Sequence, residues 1–243
     1  MNYRRFLGAA SAALMMIVVT LIITPGAGAQ SKYKTLYEFK SGKGGNPQAG
    51  LIFDAAGNLY GTTTFGGHYG FGVVFELMPN ADGSWTEKVL HHFTGGKDGR
   101  QPYAGLIFDQ AGSLYSTTYL GGLYGCGTAF ELTPNADGTW KEKVLRQFNG
   151  KDGYQPLAGL IFDQAGNLYS TAPDGGAHGG GNVFELMPSA EGSWKERVLH
   201  NFTGGKDGAN PNAGVILDGA GNLYATTEMG GASGAGTVFE IKR

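Results

Sequence analysis

From residue 50 onward the chain alternates short apolar or β-branched runs with Asp, Asn and Gly. One unit reads GLIFD (50–54), a turn AAGN, LYGTT (59–63), a glycine loop, VVFELMP (73–79), a turn NADG, and SWTEKVLHHF (84–93). Runs of five to ten residues bounded by Gly, Asn and Asp are strand signals, and no stretch after residue 30 carries a helical period. The unit then returns: GLIFDAAGNLYGTT, GLIFDQAGSLYSTT, GLIFDQAGNLYSTA and GVILDGAGNLYATT begin at Gly50, Gly105, Gly159 and Gly214, spaced by 55, 54 and 55 residues. Near-identity at a fixed period is the mark of a tandem-repeat architecture.

The turns order the strands. DAAGN and NADG are short and place Asp, Asn and Gly where positive φ is needed, so they suit hairpins. The other two connections are longer and glycine-rich. Four antiparallel strands per unit of about 50 residues describe a propeller blade. The fourth copy stops after its third strand, VFEIKR (238–243), and KTLYEF (34–39) matches KVLHHF (88–93), KVLRQF (143–148) and RVLHNF (197–202). The expectation is an all-β propeller of four four-stranded blades, the last closed by the N-terminal strand. The alternative is an open four-blade arc that oligomerises, so that the protein is a monomer or a homodimer of arcs.

The unit GLIFDAAGNLYGTT…GG…G.G.VFEL resembles the GloVer-type tandem repeat of exported bacterial proteins, in which different C-terminal anchors follow the repeats. The resemblance covers 33–243. It implies an exported β-propeller-like protein and no defined activity or catalytic residues. The chain ends at Arg243 without a sorting tail, so anchoring by that route is not expected.

Composition adds the compartment. MNYRR followed by FLGAASAALMMIVVTLIITP, with Ala27-Gly28-Ala29 before Gln30, has the form of a signal peptide over 1–29. An uncleaved membrane anchor is the alternative. The single domain 30–243 would then be periplasmic, cell-surface or secreted. Its removal takes away Arg4 and Arg5 and no acid, leaving 16 basic against 20 acidic side chains. That balance points to no nucleic-acid partner and to a membrane only through an uncleaved N-terminus. Cys126 is the only cysteine, so no internal disulfide forms.

Residues that recur in all copies serve the scaffold; those that differ at matched positions are free to serve a site. Asp54, Asp109, Asp163 and Asp218 read as turn acceptors, and Tyr60, Tyr115, Tyr169 and Tyr224 with Trp85, Trp140 and Trp194 as inter-blade packing. In a four-stranded meander the long glycine loops share one face, where propeller sites lie. There TFGGHYGFG (64–72), YLGGLYGCG (119–127), PDGGAHGGG (173–181) and EMGGASGAG (228–236) differ between their glycines. The candidate ligand-binding residues are Phe65, His68, Tyr69, Phe71, Tyr119, Tyr124, Asp174, His178 and Glu228. Aromatic side chains held by glycine loops suit a glycan or a protein ligand. The five histidines show no metal spacing, and there is no nucleophile elbow and no phosphate loop, so no cofactor or metal is expected. The reading leans away from an enzyme. A glycan-active hydrolase or lyase using Asp174 and Glu228 is the rival, and a structural or assembly module is the third.

Overall fold

The computed structural model describes residues 31–40 and 42–243, so the expected signal peptide lies outside the described residues. Leu36–Arg243 forms one compact unit. It holds fifteen strands and, among the described residues, no helix.

The first sheet is β1 (Ile52–Phe53), β2 (Leu59–Thr63), β3 (Val73–Pro79) and β4 (Trp85–His92). The second is β5 (Ile107–Phe108), β6 (Leu114–Thr118), β7 (Thr128–Pro134) and β8 (Trp140–Gln147). The third is β9 (Ile161–Phe162), β10 (Leu168–Ala172), β11 (Asn182–Pro188) and β12 (Trp194–Asn201). The fourth has only β13 (Ile216–Leu217), β14 (Leu223–Thr227) and β15 (Thr237–Ile241). All ladders are antiparallel between chain neighbours. A register shift between Val74 and Phe75 recurs at Ala129/Phe130 and at Val183/Phe184.

The turns form as their residues dictate. Asp54 Oδ1 accepts from the backbone N–H of Ala56 and Asn58, both at 2.9 Å, and its Oδ2 takes the Asn58 amide at 2.8 Å. Gly57 closes the turn at φ +88°, and Gly112, Gly166 and Gly221 repeat it at +85°, +84° and +87°, a region where a Cβ is strained. The expected first strand over 50–54 is two residues long, Ile52–Phe53, and at its end Asp54 N–H pairs with Asn58 O inside the turn.

Successive sheets pack through a repeated joint. Between the first and second, Phe93 meets Phe130 edge-on at 5.2 Å and Tyr60 meets Phe108 at 5.0 Å. Trp140 sits 6.4 Å from Tyr60, and Thr62 Oγ1 donates to Ala104 O at 3.1 Å. The next joint repeats these contacts with Phe148–Phe184, Tyr115–Phe162, Trp194–Tyr115 and Thr117 to Ala158 O. The third keeps Phe202–Phe239 and Thr171 to Ala213 O, while the Arg243 guanidinium, 4.7 Å over Tyr169, stands where a tryptophan stands in the others. The Tyr hydroxyl of each joint is fixed from below: Tyr60 donates towards Glu76 at 2.8 Å and Asp54 at 3.1 Å.

The two ends of the series differ from the middle. Residues 31–40 form no strand, and β15 pairs with β14 alone among the described residues. The expected ladder between 34–39 and 238–242 is therefore not formed in the structure. Half of that expectation is present: Phe39 lies edge-on to Phe75 at 5.0 Å, the same contact that Phe93 makes with Phe130, and the Tyr37 hydroxyl donates to Glu87 at 2.7 Å. Leu51 is 49% exposed where its counterpart Leu106 is 2%, and Val238 is 82% exposed where Val183 is 0%.

Candidate functional site

Each long loop is fixed by backbone before any side chain is considered. In the first, Gly70 N–H bonds to Gly67 O at 3.4 Å and Gly72 N–H to Gly66 O at 3.1 Å. Gly72 has φ +100°, and a Cβ there would lie 2.4 Å from Thr63 O, so only glycine fits. Short bridges tie each loop to the connection before it: Gly45 to Phe65, Arg100 to Leu120, Tyr154 to Asp174 and Ala209 to Met229. A residue before proline acts as the pivot. Asn46, Gln101, Gln155 and Asn210 all have φ between +54° and +59°, a cost that only a well-held loop sustains. Gln101 shows what holds it: its N–H bonds to Phe71 O at 2.8 Å and its carbonyl takes Tyr119 N–H at 3.1 Å. One residue thus links the loops of two consecutive units.

The candidate residues fall into two sets on this frame. His68, Tyr69, Tyr124 and His178 stand exposed at the loop tips. The tips rest on the last residues of the fourth strands: His92 Nδ1 accepts from His68 N–H at 3.2 Å, Gln147 from Leu123 N–H at 2.8 Å and Asn201 from Ala177 N–H at 2.9 Å. The His68 and His92 rings stack at 3.8 Å, 12° from parallel. Tyr69 is 58% and Tyr124 is 61% exposed, and both occupy the same position of consecutive loops.

Phe65, Tyr119, Asp174 and Glu228 lie at the loop roots. Phe65 is 41% exposed. Tyr119 meets Tyr103 edge-on at 5.2 Å; burial, then the charge of Asp174, raises its hydroxyl pKa. Asp174 accepts from Asn210 at 3.1 Å, and Glu228 from Asn212 at 2.5 Å. Phe71 takes a different part. It packs against the core between the first two sheets, with the Arg100 guanidinium 5.8 Å over its ring. The structure joins Tyr119 to Tyr103 and Asp174; among the described residues no ring contact links Phe65, Tyr69 and Tyr124.

Sequence reasoning missed the pivots, Tyr103, and a set of buried acids. Glu87, Glu142 and Glu196 occupy one position of successive fourth strands, in WTEK, WKEK and WKER patterns that read as a solvated edge. The preceding unit covers them. Arg146 reaches Glu196 at 2.7 Å. Burial, with Asp98 adding, pushes Glu142 up to about 7; burial also lifts Glu196 to about 7 against the pull of Arg146. Burial lowers the His91 pKa although Asp98 lies 3.5 Å away. For two of them a signal lay in the partner position: Glu87 meets Tyr37 and Glu196 meets Arg146, at a position that varies between units.

Among the described residues no group of three His, Cys, Asp or Glu side chains is arranged to hold a metal ion. What remains is a rigid frame of antiparallel sheets that carries exposed rings, carboxylates and carboxamides on its long loops. That defines an all-β tandem-repeat protein. The profile of the Gloeobacter/Verrucomicrobia repeat matches residues 22–239, and the chain belongs to that family. No curated protein matches the chain.

Proposed function

We propose that the protein is an exported propeller-type module that binds a glycan through the long-loop face. The observation that carries this reading is the pair Tyr69 and Tyr124, each more than half exposed and repeated one unit apart on loops whose backbone is locked. An exposed aromatic ring leaves flat apolar surface in water, and the face of a pyranose can cover it. A locked loop loses little entropy when it binds. Two rings at equivalent positions suit a polymer whose own units repeat. Phe65 adds a third exposed ring at a loop root, and Asp174, Asn212 and Glu228 add acceptors and donors for hydroxyls. In this reading the signal peptide is removed on export, and residues 34–39 supply the fourth strand of the last sheet.

The test is a glycan panel with the protein and the Tyr69→Ala/Tyr124→Ala variant side by side. Losing two stacking contacts of about 0.5–1.5 kcal/mol each should weaken binding roughly tenfold, with the melting temperature unchanged because the tips bury little. A panel to which the unmodified protein shows no binding sinks the reading. So does a variant that binds as tightly as its parent.

A further inference from the structure

The outer face of the fourth sheet and the outer face of the first are the two halves of the joint that the middle of the molecule makes three times. Thr62, Thr117 and Thr171 donate to Ala104 O, Ala158 O and Ala213 O. The fourth donor, Thr226, is exposed, and the fourth acceptor is the carbonyl of Ala49. Phe108 and Phe162 lie on Tyr60 and Tyr115; Phe53 is exposed on the first sheet and Tyr224 stands open on the fourth. Leu106, Leu160 and Val215 are buried against the preceding sheet, whereas Leu51 is exposed. Val74, Ala129 and Val183 are buried against the following one, whereas Val238 is exposed. At the joints, a Cβ on Gly105, Gly159 or Gly214 would meet the carbonyl of the preceding copy within 3.8 Å, but one on Gly50 would meet nothing within 4 Å.

The strands match in the same way. Phe39 and Tyr37 already lie on the first sheet as the end of a fourth strand lies on the sheet that follows it. Their backbone forms no ladder, and among the described residues β15 is paired along one edge only. A single joint repeated head to tail either closes a ring or runs on as a filament. Here three joints leave both terminal faces open, so four sheets do not complete the turn.

We propose that a second copy of this chain completes it, head to tail at both ends, so that Tyr37–Phe39 of each copy becomes the fourth strand beside β15 of the other. This gives a closed ring of eight sheets, within the usual range for propellers. It rests on the reading that 34–39 supplies the missing strand, and adds which chain supplies it. Two apolar faces and two strand edges that invite aggregation would be covered at once. The register follows the third sheet, where Asn182 pairs with Asn201 and Val183 with His200: Thr237 should face Glu38 of the second copy, and Val238 should face Tyr37.

The full-length product, purified after expression, should have twice the mass of one chain by light scattering. A single-chain mass overturns the proposal without any variant. Cross-linking tells the closures apart. In a Cys126→Ser background, Glu38→Cys with Thr237→Cys brings two Cα atoms to ladder distance, within the span a disulfide bridges. Under mild oxidation a covalent pair of chains is expected on non-reducing gels. A linked single chain means that the molecule closes on itself, and a ladder of higher multiples means a filament; either result overturns the two-copy ring. Glycan binding by a single-chain species would leave the loop-face reading standing, so the two fail separately.

Discussion

The third and fourth sheets contain almost the same strand in different surroundings. β10 is LYSTA and every residue of it is buried; β14 is LYATT and only its first and last residues are. Their turns are alike, with Asp163 and Asp218 making the same bonds to the following Ala and Asn. The sequence of a strand therefore sets its pairing and its turn but not its burial. Burial comes from the next unit, which gives the third sheet two covered faces and the fourth sheet one. A repeat that cannot bury its own faces depends on its neighbours for stability.

The sharpest way to break the comparison is to remove the same side chain from both sheets. Phe184→Ala takes a fully buried ring out of the joint with Phe148 and should cost about 3–5 kcal/mol in chemical denaturation. Phe239→Ala should cost as much in the two-copy ring, and about half as much in a single chain whose fourth sheet stays half-covered, in proportion to the area it buries. Equal losses would mean that the fourth sheet is covered in solution, which is the result a second copy would produce.

A smaller effect separates the tyrosines. Tyr169 donates towards Asp163 and Glu185 from a buried position that Arg243 caps. Tyr169→Phe leaves those acceptors short of a donor and should cost about 1–3 kcal/mol. Tyr224→Phe removes the equivalent hydroxyl on the fourth sheet: in a single chain water replaces it and the melting temperature should stay where it was, whereas in the two-copy ring the loss should approach that of Tyr169→Phe. A drop for Tyr224→Phe equal to that for Tyr169→Phe would remove the distinction between the two faces.

The smallest effect is the pH profile. Glu142 and Glu196 hold their protons up to about 7 in the folded chain, above the unfolded carboxyl value of 4.5. Their folded forms bind protons more tightly, so their contribution is full below pH 4.5 and is lost as pH rises towards 7. His91 works the other way: its lowered pKa withdraws stability as pH falls below 6.5. Asp163 and Asp207, held at about 2 by hydrogen bonds that include those from Asn167 and Thr203, add stability that is lost only below about 3.8. Melting temperature should rise modestly from pH 7.5 to pH 5 and fall below pH 4. Glu142→Gln with Glu196→Gln should flatten the upper limb; an unaltered limb would assign it to other groups.

Much of this was legible in the chain because it is local. LYGTT and VVFELMP coincide with β2 and β3, and Gly57 and its copies take the positive φ that the turn demands. The loop tips were also readable, since Tyr69 and Tyr124 interrupt a glycine pattern. What was hidden depends on contact between units. Phe71 looks like its exposed neighbours in TFGGHYGFG, yet it packs against the core between the first two sheets and beneath the Arg100 and Gly95 of the following connection. Glu142 looks solvated in WKEKV until the first sheet is laid over it. The fate of KTLYEF turned on whether β15 is within reach, which no periodicity encodes.

The bond from Thr62 to Ala104 O has a consequence for how such chains change over generations. The acceptor is main chain and is the same in every copy, so this bond does not record which unit it joins. Duplicating or deleting one 55-residue segment of the gene would keep this bond at every joint, so the charged contacts that differ between units, such as Arg146 to Glu196, are what would have to adjust.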